Sequence, residues 1–318
     1  MLLHYSASFQ KNSTQKINIQ MLTSGPGKFL APTSLGAGYA VAKMLSLRAV
    51  DAELAIAQDF FYQFLAGVLL GFALRPVANM IYWKRSSSII VFSTFLIALG
   101  PLGQTFRHLL WGTPLNDAFW SQIIPEVIAA IFVGMMVTFL LPSSQQVIGP
   151  GFLWRRLKQE INIPGTVKVL GCGFTYMLLF IIFQITFDES YAAPFWSDRL
   201  QELLHLPPLS PHLKVLLLWG QGIFNTLMLL PFFLLFFREK VELTVVLGSL
   251  TFVVADFAPA FANIQRIEPL LLLDQVFVGF CLQFLFVATA VFCFGRNQQK
   301  QQANNFSEKS HSNQKTNK

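Results

Sequence analysis

Three acidic residues, Glu126, Asp256 and Asp274, lie inside long apolar runs of the sequence. An Asp at the centre of a membrane-spanning helix costs about 2.5 to 3.5 kcal/mol on insertion scales, so each acid needs a partner, water or a function. Helices rise about 1.5 Å per residue. Counted from the predicted outer end of each run, Glu126 and Asp274 are about 6 Å deep and Asp256 is about 10 Å deep. Gln184 and Gln221 come to similar depths.

If these side chains face the inside of a helix bundle, they predict a polar cavity that opens to the outside and suits a small solute, a cation or a proton. Asn225 follows Gln221 by one helical turn and shares its face. The predicted cavity comprises Glu126, Asp256, Asp274, Gln184, Gln221 and Asn225. The alternative is that Glu126 and Asp274 reach water from shallow positions, while Asp256 makes a structural hydrogen bond between helices.

Reactive motifs are missing from the sequence. It contains no Gly-x-Ser-x-Gly, His-Glu-x-x-His or Walker-type loop. Cys172, Cys281 and Cys293 lack the paired spacing of zinc ligands. We therefore predict no catalytic residue, no cofactor and no metal site, and we favour a protein that is not an enzyme. An intramembrane enzyme is the last alternative, with His108 and Glu126 as its only nearby pair.

The elements that must position these residues are membrane helices. Of 318 residues, 53% are hydrophobic and only 12% are charged, against roughly 25% charged residues in soluble domains. A formal net charge of +7 is typical of basic loops that hold the topology of a membrane protein, and we predict no nucleic-acid binding. The composition predicts an all-α integral membrane protein.

Seven apolar runs are long enough to cross roughly 30 Å of hydrocarbon. They are Phe60 to Tyr82, Ser88 to Phe106, Gln122 to Leu141, Val167 to Phe187, Leu213 to Phe237, Val241 to Asn263 and Leu270 to Phe294. We therefore predict a polytopic bundle of about seven transmembrane helices over residues 60–296. For residues 29–59 we predict an amphipathic or surface helix, and an eighth span is the alternative.

Basic residues between the runs orient the bundle. The loops assigned to the inside carry eight Lys and Arg residues and those assigned to the outside carry four, which predicts a cytoplasmic C-terminus. Residues 1–28 and 297–318 are polar and rich in Ser, Gln, Asn and Lys, and they predict disordered tails. A bacterial plasma membrane is the expected location, and an organellar membrane is the alternative.

Two further patterns concern partners. A basic and aromatic segment predicts an anchor on anionic lipid headgroups; it consists of Trp154, Arg155, Arg156 and Lys158. Gly67 and Gly71 form Gly-x-x-x-Gly, which permits close helix approach and offers a contact for a homo-oligomer.

The leading functional hypothesis is a solute or ion transporter with a polar cavity in the outer half of the bundle. Its expected partners are the lipid bilayer and a small solute or cation. The second hypothesis is a non-catalytic membrane scaffold or assembly subunit, which the close-packing glycines and the basic segment would serve.

Overall fold

The structure, a computed structural model, describes most of the central part of the chain. The described residues are 27–50, 56–80, 85–110, 117–141, 154–155, 157–158, 160–183, 186, 210–235, 239–262, 264 and 269–295. They are 96% helical and include no strand. Within them, seven helices are long and apolar enough to cross a membrane, which confirms the predicted polytopic bundle. Apart from Gly27 and Lys28, the predicted polar tails lie outside the described residues.

Eight long helical elements are described, and two of them are interrupted by a π-helical turn. In chain order they are α1 (Gly27–Val50), α2 (Ile56–Met80), α3 (Arg85–Ile97) continued by π1 (Ala98–Leu102) and α4 (Gly103–Leu110), α5 (Asp117–Leu140), α6 (Ile163–Phe183), α7 (Pro211–Leu235), α8 (Lys240–Phe252) continued by π2 (Val253–Phe257) and α9 (Ala258–Ala262), and α10 (Pro269–Phe294). The seven predicted runs coincide with α2 to α10, and their ends differ by a few residues.

Local sequence signals account for several of these boundaries. Asn162 caps α6, because its Oδ1 accepts a hydrogen bond of 2.9 Å from the Gly165 N–H. A proline accompanies each interruption: Pro101 lies within π1, and Pro259 follows π2 by two residues. Proline lacks an N–H and its ring crowds the carbonyl four residues earlier, so the wider π turn relieves the helix at both places.

The outside of the bundle is apolar, as a lipid environment requires. Among its most exposed large side chains are Phe292, Val241 and Leu273. The interior is packed with aromatic and aliphatic side chains, including Phe95, Phe232, Phe286 and Tyr176. Because lipid is as apolar as leucine, close packing and polar contacts rather than hydrophobic burial hold such helices together.

The eight elements form two units of four that make the same contacts. In the first unit α1 packs on α2, and α5 packs on both α3 and α1. In the second unit α6 packs on α7, and α10 packs on both α8 and α6. In each unit the third element is the one that a π turn interrupts.

In the first unit, glycines bring α1 and α2 into backbone contact. A Cβ atom built on Gly67 would lie 2.8 Å from the Gly36 Cα and 2.8 Å from the Tyr39 Cβ. One on Gly71 would lie 2.8 Å from the Pro32 Cα. The Gly67 and Gly71 pattern thus joins two helices of the same chain, and its predicted role in a homo-oligomer stays a prediction.

The second unit repeats the contact of Gly67, whereas Thr226 stands at the position of Gly71. A Cβ atom on Gly222 of α7 would lie 2.9 Å from the Gly173 Cα and 2.7 Å from the Tyr176 Cβ, both on α6. Gly173 and Tyr176 have the spacing of the glycine and tyrosine that Gly67 meets on α1. The same pair of residues on the first helix therefore receives the same glycine of the second helix in both units.

The second and third elements of the two units also share one sequence register. Gly222 follows Gly67 by 155 residues (222 − 67), and Pro231 follows Pro76 by the same interval. The first residue of π2, residue 253, likewise follows the first residue of π1, residue 98, by 155. The described helices therefore form two four-element units with the same order of contacts, and we interpret them as tandem repeats.

The repeat bears on α1, whose composition is too polar to place it among the seven spanning helices. In the first unit α1 takes the position that α6 takes in the second, and α6 is long and apolar enough to span. The helix α1 has 24 residues, and at about 1.5 Å per residue it is about 36 Å long. This correspondence is the reason to test the eighth-span alternative, which stays a prediction.

With eight spans, both termini lie on the same side of the membrane. We expect a reporter at Ser13 to read cytoplasmic, as does one at Lys318, while a reporter at Ser197 reads external. Accessibility of single cysteines to an impermeant maleimide in intact cells checks the same three sites. A Ser13 signal on the side opposite to Lys318 would return α1 to the membrane surface.

Candidate functional site

The two units meet through reciprocal contacts around the π turns. The second helix of each unit packs on the interrupted helix of the other: α2 contacts α8, π2 and α9, and α7 contacts α3, π1 and α4. Between these contacts π1 touches π2. Single π turns inside helices are frequent at functional sites, so the contact between π1 and π2 is a candidate functional site.

Asp256 lies in π2 and is only 4% exposed. Gln283 of α10, which is 1% exposed, donates a hydrogen bond of 2.9 Å from its Nε2 to the Asp256 Oδ2. Gly279 stands one turn before Gln283 and makes room for the acid, since a Cβ there would lie 2.8 Å from the Asp256 Cγ. A carboxylate accepts hydrogen bonds, so Asp256 orients the Gln283 amide with its oxygen pointing away. Among the described residues that Oε1 is buried without a hydrogen-bond partner.

Gln221 and Asn225 are two further buried amides, one turn apart on α7. The Oε1 of Gln221, which is 2% exposed, also has no hydrogen-bond partner among the described residues. Tyr176 contacts both this helix and α10. Its Cβ lies beside Gly222, the neighbour of Gln221, and its ring packs edge-on at 5.1 Å from the ring of Phe286.

Tyr176 thus contacts both α7 and α10, the helices that carry Gln221 and Gln283. We call the four buried side chains Asp256, Gln283, Gln221 and Asn225 the polar zone. Of the predicted cavity residues, Asp256 lies in π2, which touches π1, and Gln221 and Asn225 lie on α7, which packs on π1. That they line one cavity stays a prediction.

Open space adjoins the contact between the π turns. Gly100 of π1 is buried, yet a Cβ built on it would have no atom of the described residues within 4 Å outside its own helical turn. At Gly103, three residues further, a Cβ would meet one atom of the described residues within 4 Å, the Ala98 carbonyl oxygen of the same helix at 3.7 Å. The interior is therefore loosely filled at Gly100.

Aromatic contacts join the two units on both sides of the π turns. Phe106, four residues after π1, packs on Phe224 of α7 with ring centroids 6.2 Å apart. Its counterpart Phe261, four residues after π2, packs on Tyr62 of α2 at 6.1 Å.

Before π1, Phe95 packs edge-on against Phe232 of α7, with ring centroids 4.9 Å apart. Aromatic side chains thus join the units on either side of π1.

Glu126 has a different environment. Its carboxylate forms an ion pair of 3.2 Å with Lys43 of α1, and the two side chains are 15% and 7% exposed. The Lys43 ammonium also stands 5.7 Å from the centroid of the Tyr39 ring. The acid that the sequence assigned to a cavity thus fastens α1 to α5, and its predicted role in solute binding stays a prediction.

Some of the remaining predicted residues lie outside the described part of the chain. Asp274 belongs to α10, but its side chain lies outside the described residues, as do Gln184 and Arg156. Trp154 is 70% exposed, and Arg155 and Lys158 are exposed as well. This exposure suits a segment at the membrane surface, and its role as an anchor stays a prediction.

Sequence reasoning missed Gln283, Lys43 as the partner of Glu126, and Gly100. An amide in the middle of the last apolar run is a signal that could have found Gln283. No protein-family model, curated protein or solved structure matches the sequence.

The ion pair between α1 and α5 can be tested by removing one charge or both. We expect Lys43→Met to lower the free energy of unfolding by about 3 kcal/mol, because it leaves a carboxylate unpaired inside the bundle. The double variant Lys43→Met with Glu126→Gln should recover most of that loss. Lys168→Met, at an exposed lysine, is the matched control and should stay near wild type. Equal melting midpoints for the single and double variants would show that the pair does not stabilise the fold.

Proposed function

We propose that this protein is a transporter that moves a small solute or cation through the interface between its two four-helix units. The observation that carries the proposal is the buried Asp256, hydrogen-bonded to Gln283 where π1 meets π2. An ionisable side chain inside a membrane bundle is expensive, and those that persist often mark substrate or ion paths. Many transporters have their binding sites between repeats, at interrupted helices. The protein is analogous to them in architecture.

The repeat provides an internal comparison for the polar residues. At the interval of 155 residues, Asp256 corresponds to Pro101, Asn225 to Leu70 and Gln221 to Ala66. The first unit therefore forms the same helices and the same contacts with apolar residues at these positions. Since packing alone does not demand polar groups there, the polar zone of the second unit supports a role in binding.

The architecture also supports a way for a bound solute to cross. Backbone contact between glycines ties the first two helices of each unit together. The units join each other through aromatic contacts and through a cluster of Ala66, Ala258 and Ala262. Tilting one unit against the other would separate the contacts that follow the π turns or those that precede π1. Either movement would open the polar zone to one side of the membrane at a time, as in transporters built from repeats.

Ligand-dependent stability of the purified, full-length protein tests the proposal, because a ligand that binds only the folded state raises its melting midpoint. We expect the wild-type midpoint to respond to at least one member of a panel of monovalent cations, divalent cations and small organic cations, or to pH. Asp256→Asn, which keeps the size and most of the hydrogen bonding of Asp256, should remain folded and lose that response.

Glu242→Gln, which removes an acid from the same helix, is the matched control and should respond as wild type does. An Asp256→Asn variant with an unchanged response would contradict the proposal. So would a wild-type midpoint that no ion, organic cation or pH change moves, and both results would favour a scaffold in which Asp256 serves packing. In that case Asp256→Leu should disturb the bundle while Asp256→Asn is tolerated.

A further inference from the structure

Two hydrogen-bond acceptors of the polar zone have no donor among the described residues. Both Gln283 and Gln221 have an Oε1 atom that is buried and without a hydrogen-bond partner among the described residues. Buried polar atoms without partners are uncommon in folded proteins, and each requires an explanation such as a ligand that is not part of the chain. Gln283 lies on α10, which packs on π2, and Gln221 lies on α7, which packs on π1.

The acceptor character of Gln283 follows from its neighbour. Its Nε2 lies 2.9 Å from the Asp256 Oδ2, and a carboxylate offers lone pairs to a donor. The amide oxygen of Gln283 must therefore be the atom that points away from Asp256. A molecule that satisfies this oxygen has to bring an N–H or O–H group close to a carboxylate.

Charge narrows the class of molecule further. A donor placed beside the carboxylate of Asp256, in an interior of low dielectric constant, is held more strongly if it carries a positive charge. Protonated amines combine positive charge with several N–H donors. An ammonium group can therefore interact with the Asp256 carboxylate and donate to the Gln283 Oε1, and Gln221 offers a further acceptor for a second donor.

The open space beside Gly100 is where the uncharged part of such a molecule would lie. Gly100 and its neighbours in π1, Leu99 and Pro101, are buried, and none of them carries a polar side chain. A short hydrocarbon chain suits that space, whereas a bare metal ion would leave it empty. Within the described residues, no group of three or more His, Cys, Asp or Glu side chains could hold a metal ion.

We propose that the polar zone binds a small primary ammonium compound, with its charged group beside the Asp256 carboxylate and the Gln283 Oε1 and its short alkyl part beside Gly100. This assignment rests on the proposed transport function and specifies its substrate class. It predicts two properties that can be separated experimentally, namely a requirement for N–H donors and a limit on the length of the alkyl chain.

Melting midpoints of the purified full-length protein measure both properties. The probes are the chlorides of methylammonium, propylammonium, tetramethylammonium, sodium and potassium at equal ionic strength. We expect propylammonium at saturation to raise the midpoint by about 2 °C or more. Tetramethylammonium has the charge without an N–H group and should leave the midpoint unchanged, as should sodium and potassium.

Two variants with a control locate the binding site. Gln283→Met keeps the length of the side chain, removes the acceptor and should abolish the response to both alkylammonium probes. Gly100→Ala partly fills the open space and should weaken propylammonium binding about tenfold while methylammonium binding is retained. Gly103→Ala adds the same methyl group one turn away, where contact is ordinary, and should behave as wild type.

Because Gly100 precedes Pro101, where side chains are restricted in helical backbone, the unliganded midpoint of Gly100→Ala is measured first. If that variant does not fold, the Gln283→Met result decides. A midpoint that rises equally with tetramethylammonium, or only with sodium or potassium, overturns the ammonium assignment and leaves the transport proposal standing. A midpoint that no ammonium probe moves also overturns it, and the transport proposal then depends on the other ions and the pH series of the Asp256 experiment.

Discussion

Backbone contact between glycines is the constraint from which the rest of this architecture follows. In a bilayer, helices gain little from burying apolar surface against each other, so they associate where small residues allow close approach. Gly36 meets Gly67 in the first unit and Gly173 meets Gly222 in the second, at nearly the same distances. These contacts pair the first two helices of each unit.

The contact between the units is where the two repeats differ in chemistry. The π turns occupy equivalent positions, but π2 carries Asp256 where π1 carries Pro101. An acid at this depth is supported by an amide from α10 and by the small volume of Gly279. The fold thus supplies a symmetric framework, and one repeat supplies the polar groups that the proposed binding site uses.

Hydropathy predicted the spans because the length of an apolar run directly reports the thickness that a helix can cross. It also singled out Asp256, Gln221 and Asn225, since a polar residue stands out in an apolar run. It could not pair Glu126 with Lys43, because such a pair depends on how each helix is rotated about its axis. The repeat escaped notice because lipid-facing residues interchange freely, so that few identities survive besides Gly67 with Gly222 and Pro76 with Pro231.

The central claim is that a molecule from outside the chain occupies the space between the polar zone and Gly100. An experimental density map of the full-length protein after gentle extraction, with propylammonium present, tests it most directly. The account predicts density within hydrogen-bond distance of the Gln283 Oε1 that extends towards Gly100. Side chains that close over Gly100, with the Gln283 and Gln221 oxygens hydrogen-bonded within the chain, would contradict it.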